Sequence, residues 1–237
     1  MFKKNILIAG GSKGLGFEIV KEFSSNYNLF VLSRKRRNLN KHTNFFSVDL
    51  SKENNTFKIF KTLKKKVKKI DLIIFCVGSG RPNSKNELSK NSIMNYLDTN
   101  FFTFSNLINA YLKIFNSDKT SIVVISSIAG KKNIKAPIGY SLAKNTLDLF
   151  VKILAKNLAS NKIKINLISP GNILIQKNNW SKKLKKNPKT VKRYIKSNVP
   201  LNNFIKPKEI INLIKFLFNN QKNITGSDFI IDGGQIL

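Results

Sequence analysis

The chain has 237 residues, 41% of them hydrophobic, with 43 Lys and Arg against 12 Asp and Glu for a formal net charge of +31. That length can bury a full core as a single domain, and no apolar run reaches the ~18 residues of a membrane-spanning helix. One cysteine, Cys76, excludes an internal disulfide framework and fits a reducing cytoplasm, while one histidine, His42, argues against a metal site built on His and Cys.

The charge alone would suggest a nucleic-acid or membrane-surface partner. However, only five of the basic residues are Arg, and the lysines are spread along the whole chain among many Asn and Ile. No arginine-rich reading helix and no aromatic single-strand platform stands out. The composition therefore predicts neither a specific nucleic-acid partner nor a membrane.

Met1-Phe2-Lys3-Lys4 resembles the start of a signal peptide, but the apolar run behind it is short and ends in glycines, so 5–9 reads as a first strand. Ala9-Gly10-Gly11-Ser12-Lys13-Gly14-Leu15-Gly16 follows directly and opens a helix at 15–25. A strand, a glycine turn and a helix in that order form a phosphate cradle. One glycine makes the turn, one lets the backbone approach a pyrophosphate, and one lets helix and strand pack closely. The helix N-terminus offers free N–H groups and the positive end of its dipole.

Further strands are predicted at 29–33, 44–48, 71–77, 121–126, 164–168 and 229–231, with helices at 56–67, 93–115, 138–159 and 208–218. The lysine-rich stretch 61–69 reads as the solvated end of a helix. Apolar strands alternating with amphipathic helices mean a parallel sheet covered on both faces. The expected architecture is α/β, a single doubly wound parallel-sheet Rossmann-type domain over 1–237. One irregular region, about 172–204, is long enough to be a lid. It carries Lys177, Lys182, Lys183, Lys185, Lys186, Lys189, Lys192, Arg193 and Lys196 and no Asp or Glu.

Tyr140-Ser141-Leu142-Ala143-Lys144 places a phenol and an ammonium on one helix face, a turn apart. Ser127 lies thirteen residues earlier, at the end of the strand Ser121-Ile122-Val123-Val124-Ile125-Ser126. With the glycine turn, Asp49, Asn100, Pro170-Gly171 and the closing Ile231-Asp232-Gly233-Gly234, this order and spacing resembles the classical short-chain dehydrogenase/reductase family along essentially the whole chain.

The resemblance implies hydride transfer between a nicotinamide cofactor and a carbonyl or secondary alcohol. Negative charge then builds on oxygen, which needs a proton donor and a hydrogen-bond partner. It implies catalytic roles for Asn100, Ser127, Tyr140 and Lys144. Ser127 would steady the substrate oxygen, and Lys144 would stabilise the Tyr140 phenolate, whose ordinary pKa is ~10. Tyr140 and Lys144 would also contact the nicotinamide ribose, and Asn100 would support a water-mediated proton relay behind Lys144. Implied cofactor contacts are Gly10, Ser12, Lys13, Gly14, Leu15 and Gly16 in the turn, then Ser33, Arg34, Asp49, Leu50, Gly78, Pro170, Gly171 and Ile173.

The second strand ends in Ser33-Arg34-Lys35-Arg36-Arg37, without the carboxylate that would bind the ribose hydroxyls of NAD. Arg34 can stack on adenine and pair with a 2′-phosphate, and Lys13 can reach the same group. NADP(H) is therefore expected over NAD(H). Two departures from the family pattern stand out. Phe75-Cys76-Val77-Gly78 replaces an Asn-Asn-Ala-Gly segment, and Ile175 replaces a threonine near the carboxamide. Cys76 reads as a small buried residue without redox chemistry.

Overall, the pattern is most similar to 3-oxoacyl-acyl-carrier-protein reductases, whose acidic carrier would suit a basic lid. Val77-Gly78-Ser79-Gly80-Arg81, Pro170-Gly171-Asn172-Ile173-Leu174 and Trp180 are instead similar to members in surface-polysaccharide pathways, with a sugar phosphate or sugar nucleotide as substrate. A non-catalytic NADP(H)-binding protein is the third reading. The apolar stripes of helices 93–115 and 138–159 predict a homotetramer or homodimer.

Overall fold

The computed structural model describes residues 3–36, 43–82, 86–115, 119–176, 178–219 and 222–237. Arg37, His42 and Lys177 lie outside them. Seven strands form one parallel sheet in the order β3-β2-β1-β4-β5-β6-β7. These are β1 (Asn5–Ala9), β2 (Asn28–Ser33), β3 (Thr43–Ser47), β4 (Leu72–Phe75), β5 (Ser121–Ile125), β6 (Lys164–Pro170) and β7 (Asp228–Ile231).

Strand side chains alternate between two cores. Leu7, Ala9, Ile73, Phe75, Ile122 and Val124 face one side, which is covered by α2 (Glu53–Lys66), α4 (Thr103–Phe115) and α5 (Ile138–Leu158). Ile6, Ile8, Leu72, Ile74, Val123 and Ile125 face the other, covered by α1 (Gly14–Phe23) and α8 (Pro207–Asn219). The central strands β1, β4 and β5 are covered on both faces, so they are almost wholly apolar. This is the doubly wound Rossmann-type architecture.

The strand order reverses beside β1, whose neighbours β2 and β4 carry the chain in opposite directions across the sheet. A crevice opens there, beyond the C-terminal strand ends. The glycine turn enters it from β1, and Cys76-Val77-Gly78 enters it from β4.

The predicted elements are present with shifted ends. β4 is shorter than expected because, after Cys76 N–H donates to the Ala9 carbonyl at 2.8 Å, the chain leaves the sheet. β6 runs two residues further, where Ser169 and Pro170 pair with Ile230 and Ile231. The lysines near the end of α2 are exposed, as expected of a solvated helix end.

The helix expected at 93–115 is a larger difference. It starts earlier, as α3 (Lys90–Leu97), because the Ser89 side chain accepts the Ser92 N–H as an N-cap. It is then interrupted by a π-turn at Asp98–Phe102. Asn100 sits in that turn, fully buried, with Nδ2 donating to the Tyr96 carbonyl at 2.9 Å. A side-chain amide bonded to helix backbone competes with the regular ladder, and such bulges gather at functional sites.

The region 172–204 contains two short helices, α6 (Asn179–Lys186) and α7 (Pro188–Asn198). Asn178 caps the first and Asn187 the second. Trp180 packs on Tyr194 and Phe204, with centroids at 4.9 and 5.3 Å, and fastens α6 to α7. Tyr194 Oη in turn accepts from Asn172 Nδ2 at 3.3 Å, which ties the lid to the end of β6.

Candidate active site

Side chains gather where β4, β5, the π-turn and α5 meet the crevice. Ser127 leaves the end of β5 in extended backbone, and its Oγ accepts the Ala129 N–H at 3.2 Å to start the short turn Ile128–Gly130. The same side chain hydrogen-bonds Tyr140, in the first turn of α5. Lys144 lies one helical turn on, 3% exposed, with Nζ 5.9 Å from the centre of the Tyr140 ring. Its ammonium donates to the Ile125 carbonyl at 3.1 Å.

Asn100 completes the group from the π-turn. Its Oδ1 accepts the Ser79 N–H at 2.8 Å, and Nδ2 approaches the Ser79 carbonyl at 3.3 Å. The segment after β4 is therefore strapped to Asn100 through Ser79. Gly78 sits so close that a Cβ there would lie 2.9 Å from Asn100 Oδ1 and 3.3 Å from Lys144 Nζ. At Gly80 a Cβ would lie 3.2 Å from the Tyr140 ring. Tyr96 supports this strap by donating to the Arg81 carbonyl at 2.9 Å, with its ring centre 6.4 Å from that of Tyr140.

Electrostatics follow burial. Desolvation pushes the Tyr140 phenol above its ordinary value; the Ser127 hydrogen bond opposes this, and the charge of Asp148 adds to it. Desolvation takes the Lys144 ammonium down to about 8, against the opposing charge of Asp148. The expected lowering of the phenol by Lys144 is thus not the dominant effect in this structure. The ammonium is aimed at the Ile125 carbonyl, and burial is the largest effect on the phenol.

The dinucleotide cradle has the required shape. Gly14 has φ +58 and open space where a side chain would stand, so backbone N–H groups at the start of α1 are accessible to an anion. At Gly16 a Cβ would collide with the Gly10 carbonyl, so only glycine lets the helix sit on the turn. Ser12 and Ser33 hydrogen-bond through their hydroxyls at 2.7 Å, joining the turn to the end of β2. Lys13 and Arg34 are exposed beside them. These residues fit a dinucleotide.

The sequence matches the family described as enoyl-(acyl carrier protein) reductase over residues 10–235. It is 28% identical over 248 residues to the 3-oxoacyl-[acyl-carrier-protein] reductase FabG of Chlamydia muridarum, covering 99% of this chain and 98% of that protein. ElxO with NADP bound superposes with a TM-score of 0.89 at 25% identity, covering 99% of both chains. A 4-hydroxyisoleucine dehydrogenase complexed with NADH superposes at 0.88 and 27% identity, covering 98% of both. The chain belongs to the short-chain dehydrogenase/reductase family. It is an oxidoreductase of that nicotinamide-dependent class, and the non-catalytic reading falls away.

Within this short-chain dehydrogenase/reductase the remaining expected contacts divide into backbone and side chain. Leu15 and Leu50 are buried in the two cores, so only their backbone faces the crevice side. Asp49 Oδ1 accepts from Ser51 N–H at 3.0 Å and Ser51 Oγ at 2.8 Å, opening α2. Burial raises the Asp49 carboxyl, but the Ser51 hydrogen bonds and the Arg34 charge outweigh it, and the net direction is down.

Pro170 is buried at the end of β6, and Gly171 N–H donates to the Ile231 carbonyl at 2.9 Å. The Ile173 carbonyl accepts Asn178 Nδ2 at 2.7 Å, and Ile175 packs against a core rather than offering a hydroxyl. Cys76 is partly exposed as a residue, but desolvation pushes its thiol up to about 12, which leaves it inert at neutral pH.

Sequence reasoning missed Tyr96, Ser79, Ser126, Lys131, Asp148 and Asp228. Asp148 left one faint signal: it is a scarce acid four residues after Lys144. Among the described residues, no helix is long and apolar enough to cross a membrane.

Proposed function

We propose that this enzyme is an NADP(H)-dependent reductase of carbonyl groups on anionic or carrier-linked substrates, with 3-oxoacyl thioesters as the substrate class. The observation that carries the reading is the group of half-buried Ser127 and Tyr140 with buried Lys144 and Asn100, lying beside a dinucleotide cradle flanked by Lys13 and Arg34. The nicotinamide, when bound, supplies the hydride.

The protein's own residues do the rest. Gly14 and the start of α1 bind the pyrophosphate, and Arg34 with Lys13 takes the 2′-phosphate. Ser127 Oγ orients the substrate oxygen. Tyr140 Oη holds the proton that this oxygen receives. A phenol pushed upward by burial stays protonated at neutral pH, as reduction requires. Lys144 holds positive charge behind the phenol, and Asn100 fixes the Gly78–Ser79 strap that walls the site.

The lid supports an anionic substrate. Lys182, Lys183, Lys185, Lys186, Lys189, Lys192, Arg193 and Lys196 are exposed, and among the described residues none of them pairs with an acid. Such a surface attracts an acidic carrier protein at long range. A sugar phosphate or sugar nucleotide is the competing substrate, because the same bases would draw it. The enzyme is further proposed to be a cytoplasmic homotetramer or homodimer, packed through the exposed apolar row Ile138, Leu142, Leu149 and Ile153 on α5.

NADPH oxidation is measured against acetoacetyl thioesters and keto-sugar nucleotides, with Tyr140→Phe as the control. Turnover of the thioester, abolished in Tyr140→Phe, is the expected result. Turnover confined to the sugar nucleotide would replace the substrate class, and full activity in Tyr140→Phe would overturn the reading.

A further inference from the structure

Behind the proposed active site lies a buried ion cluster that the reaction as described does not use. Asp148 follows Lys144 by one turn on the same face of α5 and is 4% exposed. Its Oδ1 accepts the hydroxyl of Ser126, the neighbour of Ser127. Its Oδ2 pairs with Lys131 Nζ, from the turn after Ser127. Lys131 also pairs with Asp228 Oδ2 on β7 at 2.5 Å, and Asp228 Oδ1 accepts Ser169 Oγ on β6 at 2.7 Å. Gly130 closes over the group, since a Cβ there would lie 2.9 Å from Asp148 Oδ2.

Two observations separate this cluster from an ordinary surface bridge. The other ion pairs among the described residues include at least one partner with a third or more of its side chain exposed, whereas Lys131, Asp148 and Asp228 show 17, 6 and 12%. The chain also has only 12 acids in 237 residues. Placing two of them with one lysine in the interior leaves a net single negative charge there. A cluster that served packing alone would be better replaced by apolar side chains of similar volume. Its members instead tie the Ser126–Ser127 turn, α5 and the last two strands to one another, next to the buried Lys144 ammonium.

We propose that Asp148, together with Lys131 and Asp228, positions the reacting group: it fixes the Ser126–Ser127 turn against α5 and supplies the negative charge that keeps the buried Lys144 ammonium charged behind Tyr140. The inference rests on the catalytic reading of Ser127, Tyr140 and Lys144.

Four groups face Lys144. Tyr140 and Asp148 lie on its own helix, Cys76 comes from the exit of β4, and Lys131 comes from the turn after β5. Desolvation lowers the Lys144 ammonium, Asp148 and Cys76 oppose it, and Lys131 adds to it. Cys76, pushed up to about 12, is a neutral thiol at working pH, so Asp148 is the acting anion. Asp148 is itself raised by burial, and Lys131 and Ser126 counter this. Asp148 is thus the group that opposes desolvation at Lys144.

The test is a pH titration of Lys144 in 13C-lysine-labelled protein, followed by NMR, with the resonance assigned by its loss in Lys144→Met. The wild-type midpoint is expected near about 8. In Asp148→Asn it moves toward acid by about one pH unit, the scale of one charge about a helical turn away in a protein interior. Asp148→Ser removes the same charge and serves if Asp148→Asn does not fold; its midpoint moves in the same direction.

An unmoved midpoint in a folded Asp148→Asn, or in Asp148→Ser where it stands in, would overturn the proposal. A shift toward alkali would do the same, because loosened packing that readmits water to Lys144 would then be the cause. The titration needs no substrate, so its failure is distinguishable from failure of the catalytic reading, which Tyr140→Phe turnover tests separately.

Discussion

Replacing Lys144 with Met should stabilise the protein at neutral pH and remove that advantage at high pH. Lys144 is 3% exposed, and burial takes its ammonium from 10.5 down to about 8. Between those values the unfolded chain holds a proton that the folded chain has released. Stability of the wild type therefore rises with pH through that window. Below about pH 8 the full cost of the buried charge is present in the wild type, and above about pH 10.5 it is gone. At about 1.4 kcal/mol per pH unit, the lowering amounts to about 3 kcal/mol.

Methionine has a similar length and no charge, so Lys144→Met lacks this slope. It also loses the hydrogen bond from Nζ to the Ile125 carbonyl, an offset of about 1 kcal/mol that does not vary across the window. The ionisation of Tyr140 affects both proteins alike and cancels in the difference. Urea unfolding at pH 7, 8, 9 and 10, followed by circular dichroism, gives the two stability curves. The variant's advantage should shrink by about 3 kcal/mol from neutral pH to the top of the window. Parallel curves would mean that Lys144 is not a buried cation, and the argument for its role behind Tyr140 would fall with them.

Arg34→Ala should lose most of a preference for NADPH over NADH, about 10- to 150-fold for a charged hydrogen bond worth about 1.5–3 kcal/mol; equal affinities in the wild type would remove the assignment, and fluorescence titration of both cofactors measures it. Charge reversal at Lys182, Lys183, Lys185 and Lys186 should raise KM for an anionic substrate as high salt does, and leave a small neutral ketone unaffected; unchanged discrimination would reduce the lid to compositional bias. Leu149 and Ile153 are 60% and 53% exposed, so Leu149→Glu with Ile153→Glu should give monomers by light scattering, and a wild type already monomeric at micromolar concentration would refute the assembly.

Much of the site was legible because its residues are tied to local geometry. Gly14 and Gly16 announce a turn that only glycine can make, and Tyr140 with Lys144 announce one helix face. Asn100 was legible as a residue but not as a π-turn. A run such as Asp98-Thr99-Asn100-Phe101-Phe102 keeps an adequate helical pattern, and the bulge accompanies bonds of the Asn100 amide to the Tyr96 carbonyl one turn back and to Ser79 after β4. Tyr96 had no signal of its own, since its ring reads as core and its hydroxyl acts on a segment folded back from β4. The net electrostatics at Tyr140 were hidden for a similar reason. Spacing places a cation near the phenol, but not the carbonyl at which that cation is aimed, nor the depth of burial.

The sequence by itself determined the order of strands and helices along the chain, the parallel doubly wound class and the candidate residues of the site. Alternation, apolar strand runs and glycine spacing act over a few residues, where the chain has little choice. Only the tertiary structure decided what surrounds those groups. Ser126, Lys131, Asp148, Ser169 and Asp228 come from four separate elements, and nothing in their spacing says that they meet. Their charges acquire large effects only after water is excluded, because desolvation and a low dielectric belong to the packed interior rather than to the chain.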